Sequence, residues 1–351
     1  MRFSGSKPKN KSKANKVVVL YRYAVLSLAG TFCLAFFFVL VMLSPVSSKD
    51  ESKEIVVAIP QQATAGMVGE ILKKEGLVRS SLAFRLYTRW KSMDSGIKAG
   101  QYRLSSALST PQIIMELVDG RLAVQSITIP EGLNTAQVAD LLAAKGLVNR
   151  EKFISVVANQ EFPYSFLSRA PEGDKRLEGY LFPDTYNFNI GDSESAIVET
   201  MLKRFQREID ELGFAALAER NGMTLHQAVT IASLVEREAK ADEERPLIAG
   251  VIYNRLKISM PLQIDATIQY ALGENKPEIY YKDLEVDSPY NTYKNYGLPP
   301  GPIAMPGRPS LLAAVNPADT DYLYYVAKPD GYHAFATTLA QHNVNKEMYQ
   351  R

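Results

Sequence analysis

The sequence has almost no cysteine. One residue, Cys33, stands among 351, so no intrachain disulfide can form and the chain must fold on an ordinary apolar core. Histidine is nearly as scarce: His226, His333 and His342 are the only three. Without further cysteines they leave little material for a zinc site, whose usual ligands are Cys and His clusters, and neither a metal nor a cofactor is expected. None of them lies in a nucleophile-elbow context, which argues against a Ser-His-Asp hydrolase. There is no P-loop and no dinucleotide-binding glycine fingerprint. Acid is missing altogether before the first apolar run, where Arg2, Lys7, Lys9, Lys11, Lys13, Lys16 and Arg22 stand. A chain of net charge +2 that begins with seven unopposed positive charges carries −5 beyond them. That is a poor surface for gripping phosphate backbones, and no nucleic-acid partner is expected.

What the chain does have is a run of twenty residues without a charge, Ala24 to Leu43, "AVLSLAGTFCLAFFFVLVML". At helical rise this length crosses a hydrocarbon core of about 30 Å, and the run reads as a single transmembrane helix. A cleavable signal peptide would have a shorter apolar region leading to a small-x-small cleavage site, whereas this run ends in "SPVSS". The basic residues before it and the mixed "SKDESKE" after it predict a cytoplasmic N-terminus. Residues 1–23 are then a basic cytoplasmic tail, a topology signal or anionic-lipid contact, and 44–55 a linker. The chain beyond the helix is long enough for a sizeable core.

That outer part contains a repeat. "VAIPQQATAGMVGEILKKEGLV" from Val57 and "ITIPEGLNTAQVADLLAAKGLV" from Ile127 share a strand-like start, a V-x-x-x-L helical face and a terminal G-L-V, at an offset of 70. Gly76 and Gly146 stand where a helix ends in a left-handed residue. Downstream, Tyr102 and Tyr186 each lie on a short alternating strand followed by an amphipathic helix, with about fourteen more residues before the second of these strands. The pattern predicts two strand–helix–strand–helix units, one over 56–125 and one opening a larger domain over 126–351. The fold class is α+β. After Phe205 the pattern is helical to about Leu256 and then irregular. Asp283 to Pro309 holds six prolines and three glycines, a long connection of the kind that is more often functional than a linker.

The chemistry centres on "IASLVEREAKADEERP", Ile231 to Pro246. On a helix from Leu225, Glu236 falls at about 20° and Glu238 at about 220°, both within the apolar arc, with Glu238 nearer its centre. Burial raises a carboxyl's pKa, as a general acid working near neutral pH requires. Such a glutamate also has a purely structural use, pairing with Arg237, Arg245 or Arg255 to close the helix. Glu178 and Asp184 in "RLEGYLFPDTYNF" and Asp265 in "LQIDATIQY" are further acids that could partner it or bind sugar hydroxyls. Tyrosines of the proline-rich loop offer rings on which sugar C–H faces stack.

At these residues the chain resembles the YceG-like family, the endolytic murein transglycosylases. "LEGYLFPDTY", "ASLVEREA", "VIYNRL", "LQIDATIQY", "YNTY" and "GLPPGPIAMPG" occur in the family's order, and the similarity covers essentially everything beyond the apolar run. The resemblance implies an inner-membrane enzyme, catalytic part periplasmic, with a LysM-like module over 56–125 and a catalytic domain over 126–351. It implies internal cleavage of glycan strands between N-acetylmuramic acid and N-acetylglucosamine. The muramic C6 hydroxyl would replace water, leaving a 1,6-anhydro end and terminating strand elongation. Glu238 matches the catalytic residue and Glu236 is its rival or supporting neighbour. Glu178, Tyr180, Asp184, Gln263, Asp265, Asn291, Thr292 and Tyr293 match positions expected to bind glycan. Ala239, Ala266 and the Ala304–Met305 pair depart from common family residues beside these motifs and bear on rate more than on reaction type. The expected partners are peptidoglycan strands, the membrane and, more distantly, glycan polymerases. Two alternatives stay open: a hydrolytic muramidase using Asp265 or Glu178 to hold water, and a non-catalytic wall-binding scaffold of the elongation machinery.

Overall fold

The computed structural model describes residues 11–349 except 275 and 277; the first ten residues of the basic tail lie outside the described residues. The chain is mixed α+β and divides into two compact units, one through Val124 with Asn189–Gly191 and the other covering Gln125–Phe188 and Asp192–Arg351.

In the first unit, α1 (Lys11–Leu43) contains Tyr21–Leu43, the one stretch among the described residues long and apolar enough to cross a membrane. Its large side chains, Leu28, Phe32 and Phe37 among them, are exposed. There follow β1 (Glu54–Ile59), α2 (Ala65–Lys74), α3 (Ser81–Trp90), β2 (Gly100–Ser105) and α4 (Thr110–Asp119). β1 and β2 pair antiparallel, with Val57 opposite Tyr102. Val57, Leu72, Phe84, Tyr102, Ile113 and Leu117 close a small core.

The second unit starts the same way: β3 (Val124–Thr128), α5 (Thr135–Ala144), α6 (Arg150–Asn159), β4 (Thr185–Asn189) and α7 (Glu194–Leu212), with β3 paired to β4. Each copy therefore has two helices between its strands where the periodicity suggested one. α3 and α6 each follow directly on the G-L-V turn, so the sequence pattern ran them into the connection. The likeness extends to single bonds. Gly76 and Gly146 take φ near +70° (70 and 69), and the following leucines donate to Leu72 and Leu142, at 2.8 and 3.1 Å, the closure that left-handed helix ends make. Tyr102 donates to the carbonyl of Lys98 and Tyr186 to that of Phe182, each four residues back.

From there the second unit is its own: α8 (Phe214–Arg220), α9 (Leu225–Glu238), α10 (Arg245–Lys257), α11 (Asp265–Leu272), α12 (Arg308–Val315), an antiparallel hairpin of β5 (Tyr324–Ala327) and β6 (His333–Ala336), and α13 (Leu339–Tyr349). Thr224 and Gln227 form a capping box that starts α9. Every residue from Ala228 to Val235 is buried, with α8, α10, α11 and α12 packed around it. The helix ends at Glu238 because Ala239 turns to extended backbone.

The proline-rich segment closes over this core. Gly179 sits at φ +83°, where an added Cβ would lie 2.5 Å from Pro302, and its N–H points at Met305 Sδ, 3.2 Å away. Only glycine allows both the left-handed backbone and this close approach. Gly179→Ala is therefore expected to destabilise the second unit by about 2 to 4 kcal/mol, measured as a lowered denaturation midpoint; an unchanged midpoint would show that the loop yields without cost.

Candidate active site

The C-terminal end of α9 opens on a cavity of about 510 Å³ lined by Glu238, Gln263, Asp265, Tyr293, Tyr325 and His333, with Arg255, His342 and Lys346 at its walls. Glu238 Oε2 accepts a hydrogen bond from the Tyr325 hydroxyl at 3.0 Å. Burial pushes the Glu238 carboxyl above the usual carboxylate range and the charge of Asp265 adds to this; the Tyr325 hydroxyl, His333 and the backbone N–H of Ala266 oppose it. The net displacement is upward because desolvation outweighs the donors. Across the cavity Tyr293 donates to Asp265 Oδ1 at 2.5 Å, which leaves Asp265 held while Glu238 takes its bond from the hairpin.

The walls are built from backbone acceptors and turns. Arg255, on α10, donates to the carbonyls of Leu323 (2.6 Å), Leu262 (2.7 Å) and Pro261 (3.3 Å), tying the hairpin's entry to the turn that precedes α11. In that turn Gln263 has φ +48°, an unfavourable region for a residue with a Cβ. Thr292 holds it there: its carbonyl accepts from Gln263 N at 3.2 Å and its hydroxyl from Ile264 N at 3.0 Å. Asn291 accepts from Tyr293 N and donates to the carbonyls of Leu284 and Val286. Asn291 and Thr292 are both buried, so they frame the cavity and position Tyr293 and Gln263. On the other side Glu244, also buried, accepts from the His333 backbone N–H at 2.8 Å and lies 2.9 Å from Nδ1, which orients the imidazole.

The structure thus brings together Glu238, Gln263, Asp265 and Tyr293, with Asn291 and Thr292 directly behind them, and sets Glu236, Glu178, Tyr180 and Asp184 elsewhere. Glu236 points away from Glu238, as residues two apart on a helix do. Its carboxylate accepts from Gly307 N at 3.0 Å and lies 3.4 Å from Arg245 Nη1, so it is the helix-closing ion pair, and the carboxylate facing Glu238 is Asp265. Glu178 is buried between Thr135 N (3.0 Å) and the Tyr270 hydroxyl (3.1 Å). The buried Tyr180 donates to His226 Nδ1 at 2.7 Å, and His226 Nε2 to the carbonyl of Pro300 at 2.8 Å, pinning the proline-rich segment from beneath. Asp184 pairs with Arg204 at 2.6 Å. Tyr325 and His333 were not singled out from the sequence as site residues. The signal for them was the alternating "YLYYVAKPDGYHAFA" around a P-D-G turn, a hairpin pattern; nothing in it says that the hairpin folds back over α9.

The profile of the YceG-like family matches residues 57–348. The endolytic murein transglycosylase of Bacillus subtilis (strain 168) is 38% identical over 320 residues, 88% of each chain. That of Streptococcus pneumoniae (strain ATCC BAA-255 / R6) is 33% identical over 361 aligned positions, spanning 95% of this chain and 64% of the longer protein. The crystal structure of a YceG-like protein from Listeria monocytogenes superposes with a TM-score of 0.58 at 35% identity, covering 84% of this chain and 99% of that one.

Glu178 makes a pH-dependent contribution of its own. Burial lifts its pKa from 4.5 to about 7 against the donors Tyr270 and Thr135. Between those values the native state holds a proton that the unfolded state releases, so this stability is complete below about 4.5 and is lost as pH rises through about 7. Glu178→Gln keeps a neutral acceptor there. The variant is expected to match the parent in denaturant unfolding at acidic pH and to exceed it by about 3 kcal/mol at mildly alkaline pH. Equal pH profiles would contradict the assignment.

Proposed function

The chain belongs to the YceG-like family, and we propose that it is a membrane-anchored endolytic lytic transglycosylase of peptidoglycan in which Glu238 carries both proton transfers. The observation that carries this reading is a desolvated carboxyl with a raised pKa on the wall of a polar cavity wide enough for part of a glycan. Relatives named endolytic murein transglycosylase, aligned over most of the chain, support it.

Protonated Glu238 gives its proton to the oxygen joining muramic C1 to the next sugar, and the C1–O bond breaks. The carboxylate left behind takes the proton of the muramic C6 hydroxyl as O6 bonds to C1, closing the 1,6-anhydro ring. The proton borrowed in the first half is returned in the second, and no water is consumed. Tyr325 steadies the carboxylate formed midway, and the negative charge of Asp265 favours the positive charge that develops at C1. Gln263 and Tyr293 line the same cavity as sugar-binding groups. Arg255, Asn291, Thr292 and Glu244 position the others.

We place the enzyme at the inner membrane by Tyr21–Leu43, N-terminus cytoplasmic and the rest periplasmic, where it meets nascent strands beside the polymerases that make them and ends their growth. The strand–helix–helix–strand part of the first unit acts as the LysM-like wall-binding module. Asp265 in the same cavity is the observation that favours hydrolysis instead, because a second carboxylate could hold a water.

Two experiments test this. Glu238→Gln is expected to lower glycan cleavage about a thousandfold while leaving binding to isolated wall intact, and mass spectrometry of parent products should find muropeptide ends one water lighter than hydrolysis gives. Full-mass ends would establish the muramidase, and cleavage surviving in Glu238→Gln would remove Glu238 from the mechanism. Second, the first step needs protonated Glu238, so kcat/KM should fall as pH rises through its elevated pKa. Tyr325→Phe removes a group that lowers that pKa and should move the falling limb to higher pH. Asp265→Asn removes one that raises it and should move the limb to lower pH. Shifts in the same direction would refute the electrostatic account.

A further inference from the structure

The first unit carries an apolar surface that its own core does not use. α3 buries Phe84 and Thr88 against the module and turns Leu82, Leu86 and Trp90 outward, at 54%, 57% and 73% exposed. These three recur every fourth residue, each step displaced by about 40° on the helix, and so form one stripe. Along it, from Val78 to Met93, stand Arg79, Arg85, Arg89 and Lys91 and no acid. The Lys91 ammonium lies 4.4 Å from the centre of the Trp90 ring.

The stripe does not face open space alone. With the last turns of α1, Phe38 and Met42 among them, it walls a groove of about 590 Å³. Arg79 ties the two walls, donating to the carbonyl of Pro45 through Nε at 3.0 Å and Nη2 at 2.7 Å and to that of Val46 at 3.2 Å. The surface is therefore continuous with the outer end of the segment read above as the membrane span, and the inference rests on that reading. An apolar stripe with a tryptophan at one end and a cationic rim matches a helix lying at the boundary of headgroups and acyl chains. A second copy of the same stripe is disfavoured as the occupant, since it would bring the two cationic rims together.

We propose that α3 is a membrane-interface helix: Leu82, Leu86 and Trp90 enter the leaflet at which α1 emerges, and Arg85, Arg89 and Lys91 meet the phosphates of anionic phospholipid. The module is then seated on the bilayer by two attachments, and its wall-binding surface is kept next to newly made strands rather than at the end of a free tether.

Trp90 is the only tryptophan in the chain, so its fluorescence reads the stripe directly. The full chain is reconstituted in vesicles of phosphatidylglycerol and phosphatidylcholine, with and without bromine on the acyl chains, and floated to verify insertion. Trp90 emission is expected to be shifted to the blue, quenched by the brominated lipid and shielded from aqueous iodide. Arg85→Glu with Arg89→Glu should roughly halve the bromolipid quenching in phosphatidylglycerol vesicles, and Leu82→Asn with Leu86→Asn should return Trp90 to iodide, both without loss of flotation. Floated chains whose Trp90 is open to iodide and untouched by bromolipid overturn the proposal while leaving the anchor in place. Shielding without bromolipid quenching, rising with protein density, also overturns it and assigns the stripe to a second copy. Chains that fail to float overturn the anchor itself.

Discussion

The helix Leu225–Glu238 is enclosed by protein along eight consecutive residues, Ala228 to Val235, and the candidate site depends on that enclosure. A helix so held cannot rotate to suit the residues at its end, so the direction of each side chain beyond Val235 is fixed by the core. Glu236 is sent toward Gly307 and Arg245, and Glu238 toward the hairpin and the cavity. Two carboxylates two residues apart thereby receive opposite environments. One accepts from a backbone N–H and lies beside the Arg245 guanidinium, with the Glu131 carboxylate also near; the other has a single hydroxyl and one backbone N–H against desolvation and the charge of Asp265. In the second arrangement burial and the charge of Asp265 outweigh the donors, so the Glu238 carboxyl is held above the usual carboxylate range.

The remaining parts serve to hold a cavity open beside that carboxyl. Segments that are remote in sequence meet there: the turn before α11, the proline-rich stretch, the hairpin and α13. Side chains bonded to backbone groups tie them together: Arg255 donates to the hairpin's entry and the Leu262 turn, Asn291 donates within the loop, Thr292 accepts from Ile264 N–H in the turn before α11, and the Tyr180–His226–Pro300 chain holds the proline-rich stretch from below. Many of the motif residues in this sequence are of this kind. They bear on the cavity through the geometry they impose on Glu238, Asp265, Gln263 and Tyr293.

Legibility followed the range of the interaction concerned. The internal repeat was readable because its signals are local: a helical face, a glycine at the helix end, a tyrosine on an alternating strand. Its tertiary counterpart extends to matching hydrogen bonds four residues back from Tyr102 and Tyr186. The second helix of each copy was not readable, since α3 and α6 begin right at the preceding turn and nothing in the pattern separates them from a connection. Among site residues, the helical wheel put both glutamates in the apolar arc and preferred Glu238 only slightly. It could not tell an ion-paired carboxylate from a cavity-facing one, because Arg245 and Tyr325 are brought to them by other elements. Glu178 was legible as a notable acid, and its burial against Tyr270 was not.

By itself the sequence determined the apolar span and its charged flank, the α+β composition, the absence of disulfides, the repeat, and the stretch that holds the two candidate carboxylates. These rest on periodicity and composition, which act between neighbours along the chain. Only the tertiary structure decided which of the two glutamates faces the cavity, that Asp265 and not Glu236 is its charged neighbour, and that Tyr325 and His333 stand over it. A carboxyl's proton affinity is set by the solvent removed from it and by the charges and donors within a few ångströms, and here the hydroxyl that donates to Glu238 comes from a residue 87 positions away.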